Sequence, residues 1–169
     1  MTKAKDFLRA LRAAEHVGAE SVDDYWRRQR DVWVADLGEL RRSMVRWLGP
    51  VCEAQKARWR DQDFTLMEPD TGEYAAPGLE IDLLAGDPRV VVVRPRGVRI
   101  VGVVQTGGAR IVGARGRVDI ECGVAREILL RFTDNGPTRW LSFARGEKRE
   151  LDEDLFFDLL ARVAGLSLS

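Results

Sequence analysis

One histidine, two cysteines and no net charge leave little material for familiar chemistry in these 169 residues. A single histidine, His16, rules out a two-histidine metal site within one chain. It lies near the end of a helical stretch, where an imidazole more often meets the negative end of the helix dipole than a substrate. Cys52 and Cys122 are far apart in apolar surroundings and read as reduced, buried thiols. Two thiols and one imidazole make no structural zinc centre without carboxylates in unusual roles. Lysine and arginine together equal aspartate and glutamate at 27 each, so the molecule as a whole exerts no pull on nucleic acid or on a membrane. No apolar run approaches the roughly 20 residues of a membrane span, and the first residues, MTKAKDFLRALRAAEH, break any signal-like stretch with charge. A cytoplasmic protein with no membrane partner is expected. The preponderance of arginine over lysine, with much Ala, Gly and Val, suggests a GC-rich bacterial source.

The hydrophobic fraction of 45% and the charged fraction of 32% belong to a globular chain. The expected fold is α+β. An N-terminal helical hairpin precedes an antiparallel meander sheet of six to eight strands, and one C-terminal helix packs on the sheet. Residues 1–63 form the helical segment and 64–169 the sheet and last helix, together one integrated domain. Phe7, Leu8, Leu11 and Ala14 recur at helical spacing and predict a helix over 3–16, stopped at Gly18. Ser21, with Asp23 and Asp24 behind it, begins a second helix over 21–48. Gly49-Pro50 suggests a kink or fresh start, followed by a short helix over 50–61 on which Val51, Cys52, Gln55 and Trp59 face one way.

The second helix has the clearest pattern. Trp26, Trp33, Leu40 and Trp47 recur every seven residues, and Leu37 and Met44 interleave, giving a continuous apolar seam. Its first reading is core. Its second is a protein interface made by Trp26, Trp33, Leu37, Leu40, Met44 and Trp47, because tryptophan and arginine both favour binding hot spots. A seam this long spans nearly 40 Å at 1.5 Å per residue, while strands typically span under 20 Å, so one end is expected to project and to need a partner.

From Phe64 the period changes to two. Strands are expected over 64–67, 79–84, 89–94, 98–105, 109–113, 117–122, 127–132 and 139–143. Turns fall at Gly86-Asp-Pro88, Thr106-Gly-Gly108 and Asp134-Asn-Gly-Pro137, and Gly102 marks a bulge or bend. Asp152, followed by Glu153 and Asp154, caps a last helix over 152–164 that ends at Gly165, with Leu155, Phe156, Leu159, Leu160 and Val163 buried.

No nucleophile setting appears: no serine lies in Gly-x-Ser-x-Gly, and no Gly-Lys-Ser/Thr ends a glycine-rich loop. Glu80/Asp82 and Asp119/Glu121 stand at i, i+2, hence on one face of their strands. On neighbouring strands they would gather four carboxylates for a divalent cation. Asp70 and Glu80-Ile-Asp82 faintly resemble nucleases that place Asp and Glu-x-Lys around Mg²⁺, but Asp82 stands where the lysine belongs. Residues 88–118 carry seven arginines and no acid. Arg94, Arg96, Arg99, Arg115 and Arg117 are therefore candidates to contact phosphate or an acidic partner, although no aromatic platform interleaves them. The expected function is a non-catalytic protein–protein interaction module: an accessory subunit, adaptor or inhibitor, with no cofactor and with a protein partner or a second copy of itself. Nucleic-acid binding through 89–117 is the alternative, and a metal-dependent hydrolase a third.

Overall fold

A computed structural model describes residues 3–17, 21–99, 104–106, 109–134 and 136–168. The readings at Gly18, Gly102 and Gly107-Gly108 lie outside these residues. Helix α1 spans Lys3–Val17 and α2 spans Val22–Glu53. Strands β1 (Ala57–Glu68), β2 (Gly72–Leu83) and β3 (Arg89–Gly97) follow. A short ribbon of β4 (Val104–Thr106) and β5 (Ala109–Ile111) precedes β6 (Arg117–Cys122), β7 (Ala125–Phe132), β8 (Arg139–Ser142) and β9 (Arg149–Glu150). Helix α3 closes the chain at Glu153–Ala164. The fold is α+β. Seven strands form one antiparallel sheet in the order β1-β2-β3-β6-β7-β8-β9, a meander interrupted only by the separate β4–β5 pair.

One face of the sheet is apolar and carries the buried sides of α2 and α3. Leu79 and Ile81 of β2, Val91 and Val93 of β3, Val118 and Ile120 of β6 and Leu129 of β7 alternate onto it. From α2, Trp33, Leu37, Leu40, Met44 and Leu48 complete the core, and Leu155, Phe156, Leu159, Leu160 and Val163 of α3 do the same. Glycine permits the closest approach: a Cβ on Gly116 would lie 2.3 Å from Cζ3 of Trp33, and Gly116 has φ of 155°. The opposite face divides in two. Its β1-β2-β3-β6 part is charged. Towards β7 and β8, Leu130 and Leu141 are buried apart from the main core, beside the Phe132–Phe143 ring pair at 6.1 Å.

Each helix end has a local cause. The Ser21 hydroxyl accepts from the Asp24 amide at 3.1 Å and the Asp152 carboxylate from the Leu155 amide at 2.8 Å. Gly165, at φ 68°, ends α3 with the Leu166 amide donating to the Ala161 carbonyl at 2.8 Å.

The sequence reading is corrected between 49 and 61. Helix α2 runs through Pro50 to Glu53, and residues 57–61 are strand. Proline removes one hydrogen bond, at a place where the helix is within a turn of its end, so the loss does not break it. The stop comes instead at Gln55. Its φ of 56° is left-handed, its amide donates to Cys52, and the Lys56 amide reaches back to the Val51 carbonyl at 3.1 Å. This is the double bond pattern that glycine usually makes at a helix end. Trp59 therefore lies on β1 opposite Ile81 and not on a helix face.

Two substitutions test these backbone readings by urea denaturation. Gln55→Gly relieves a left-handed non-glycine residue and is expected to raise stability by about 0.5–1 kcal/mol. Gly116→Ala drives a methyl into the immobile Trp33 ring and is expected to cost about 3 kcal/mol.

Candidate interaction surfaces

The seam on α2 is used in two different ways along its length. Trp33 and Met44 are fully buried, and Leu37 and Leu40 nearly so, all against the chain's own sheet. Trp47 is half-buried against Phe156, with ring centroids 5.5 Å apart. Trp33, Leu37, Leu40 and Met44 are occupied within the chain, which corrects the interface reading at those four positions, while Trp47 stays partly exposed. Trp26 is half-buried, and the Arg99 guanidinium lies 5.2 Å from its ring centroid. Ahead of Trp33 the helix runs past the sheet. Val22, Tyr25 and Val32 are exposed, Val22 by 68%. On α1, Phe7, Leu8 and Leu11 are exposed as well, so the apolar stripe expected to pack in a helical hairpin is uncovered.

A latch joins this projecting part to the sheet. Arg30 donates to the Thr71 carbonyl at 3.4 Å, and Arg99 pairs with Asp70 beside it. Glu68, 8% exposed, accepts from the Tyr74 hydroxyl, from the Val98 amide at 3.3 Å and from the Arg99 amide at 2.9 Å. Burial, the hydrogen bond to Glu68 and that carboxylate's charge, in that order, raise the Tyr74 pKa far above its ordinary value.

Sequence reasoning missed the strongest polar contact. Arg131 is 1% exposed and pairs with Asp36 of α2 at 2.6 Å. Its Nη1 also donates to the Arg115 carbonyl at 2.7 Å, and its guanidinium lies 5.6 Å from the Trp33 ring centroid. Thr138 donates to the same Asp36 oxygen at 2.8 Å. The signal in the sequence was slight: an arginine at a strand position whose even-spaced neighbour Leu129 faces the core.

The arginine stripe is largely neutralised where it stands. Arg94 pairs with Glu121 at 3.0 Å. Arg96 pairs with Asp119 at 2.8 Å and also with Glu121. Arg117 grips Asp119 at 2.7 Å. Asp119 is fully buried beneath these side chains. Burial alone lowers the Arg96 pKa, but the hydrogen bonds and charges of Asp119 and Glu121 outweigh it, and the net shift is upward. Arg99 is held by Asp70, while Arg115 has no side-chain partner among the described residues. The acids that answer the stripe come from β6 and from the β1–β2 turn, and not from α3.

The carboxylate pairs do share a face, as i, i+2 spacing requires, but β3 separates them. Glu80 lies opposite Val92, and Val92 lies opposite Glu121. Two strand spacings, about 9.5 Å, therefore lie between the pairs. Glu80 is taken by Arg60 and Asp82 by Arg58. Among the described residues no three His, Cys, Asp or Glu side chains converge as metal ligands. No helix among them is long and apolar enough to cross a membrane.

A hollow of about 320 Å³ opens between α2 and the β1 edge, lined by Arg41, Arg42, Val45, Arg46, Trp59 and Asp61 among others. Arg41 spans it to Asp61 at 3.4 Å and Asp63 at 3.3 Å. Compared with protein-family models, with curated proteins and with solved structures, the chain matches none of them. Its surfaces must speak through their geometry.

Asp36→Ala leaves Arg131 buried and unpaired and is expected to cost about 3 kcal/mol, whereas Asp36→Leu combined with Arg131→Met costs less than the two single changes summed. Tyr74 gives a pH signature. Unfolded, it ionises near pH 10; folded, it keeps its proton, so its contribution is whole below about pH 10 and falls as pH rises further. The gap in urea midpoint between the native chain and Tyr74→Phe is expected to shrink above that pH.

Proposed function

We propose that this protein is a non-catalytic interaction module, an accessory subunit, adaptor or inhibitor that docks onto another polypeptide through its projecting helical arm. The observation that carries this reading is the uncovered apolar surface on α1 and on the first turns of α2, beyond the last residue that the sheet protects. Single exposed apolar residues are ordinary, but a stripe of them along one face of a projecting helix signals a partner. The arm is well built for the role. Arg30 and Arg99 tie the start of α2 to the end of the sheet and fix the direction in which it leaves.

The nucleic-acid alternative draws less support, because a phosphate must compete with Asp119, Glu121 and Asp70 for four of the five arginines. The hydrolase alternative would need the two carboxylate pairs on adjacent strands.

The test is affinity capture from the source cells with nuclease present, using the full chain and Val22→Asp with Tyr25→Asp. A protein retained in simple stoichiometry by the native chain and lost with the double variant is the expected result. Capture that nuclease abolishes, or that the variant leaves intact, contradicts the reading.

A further inference from the structure

We propose that the occupant of the arm is a second copy of this chain, with α1 of each protomer lying along the start of α2 of the other. This rests on the reading of the arm as a docking element and names its partner.

Three observations converge on it. First, both halves of a helical hairpin are present but do not cover one another. Phe7, Leu8 and Leu11 form one stripe on α1, and Val22, Tyr25 and Val32 form one stripe on α2, and all six are 40–68% exposed together. An α1 supplied by another copy covers the α2 stripe and is covered by it, and a two-fold axis makes the exchange reciprocal. Second, the first turns carry opposite charge. Helix α1 carries Lys3, Lys5, Arg9 and Arg12 against Asp6 and Glu15, whereas α2 opens on Asp23 and Asp24 before Arg27, Arg28 and Arg30 reverse the sign, and Arg27 already holds Asp24 at 3.3 Å. Third, the extent suffices. A whole aromatic side chain buries on the order of 150–250 Å² and an aliphatic one less, so at 40–68% exposure the twelve side chains of two copies offer roughly 1,000 Å², the lower limit of a specific interface.

Pairing through the β1 edge is a less favoured route to self-association. Strand β1 is a long free edge, but a two-fold antiparallel pairing of two β1 strands sets same-face residues opposite each other. Arg58 and Arg60 would share one face with their own copies, and Asp61 and Asp63 the other. Like charges facing across an edge disfavour that pairing.

Sedimentation equilibrium of the full chain tests the proposal. The expected mass is twice that of one chain. Leu8→Asp with Leu11→Asp should return it to one chain, with circular dichroism unchanged because neither side chain belongs to the core. Lys5→Glu with Arg12→Glu should weaken the dimer at least about tenfold, and adding Asp23→Lys with Asp24→Lys should restore it. A single-chain mass at every concentration overturns the proposal, as does a dimer indifferent to Leu8 and Leu11. Failure of the charge exchange to restore association overturns the reciprocal α1-on-α2 arrangement. If the chain is monomeric while the Leu8 and Leu11 changes release a different captured protein, the second copy is excluded and the interaction reading stands.

Discussion

The burial of α2 from Trp33 to Leu48 across the apolar face of the sheet is the contact on which the rest is arranged. Trp33 sets its position. Its ring fits against Gly116 where no Cβ is allowed, contacts Trp140 at 5.9 Å and lies beside the Arg131 guanidinium. Burying Trp33, Leu37, Leu40, Met44 and Leu48 stabilises the fold by roughly 1.5–3 kcal/mol per side chain, before conformational entropy is counted. No polar contact in the chain approaches that total. With α2 seated, α3 fills the remaining apolar strip, and Asp36 arrives where it can neutralise Arg131.

The same seating explains why a long helix has two characters. The sheet covers α2 from Trp33 to Leu48, about four and a half turns at 3.6 residues per turn. What lies ahead of Trp33 meets Thr71 of the β1–β2 turn and, beyond the end of β3, Val98 and Arg99, with Ala114 and Arg115 across a shared hollow; Arg99 pairs with Asp70 and lies over Trp26. The polar latch holds the helix in direction without covering its apolar stripe. On the proposed reading, stability and recognition are thus divided along one continuous element.

Much of this was legible in the residues. The cap at Asp152 and the stop at Gly165 give α3 its bounds, since both act within one turn. The seven-residue seam located the α2 core, and its length foretold a projecting end. The misreadings share a physical cause. Residues 50–61 follow helical spacing over a short window, but Gln55 turns left-handed without being glycine, a choice that tertiary packing makes and local propensity does not. The acid pairs at 80/82 and 119/121 were placed on one face correctly. That β3 lies between them is a matter of strand order, which periodicity does not carry. The arginine stripe looks unopposed because residues 88–118 hold no acid, yet Asp119 follows immediately and answers Arg96 on the neighbouring strand and Arg117 on its own. Arg131 and Asp36 are 95 positions apart, and nothing in either neighbourhood points to the other.

The division of α2 into a core half and a docking half is tested most directly by hydrogen exchange of the full chain at low and high concentration. The expected result is slow exchange for residues 33–48 in both, with residues 3–12 and 22–30 exchanging fast in dilute solution and slowing as copies associate. Uniform exchange along the whole of α2, unchanged by concentration or by a captured partner, would contradict it.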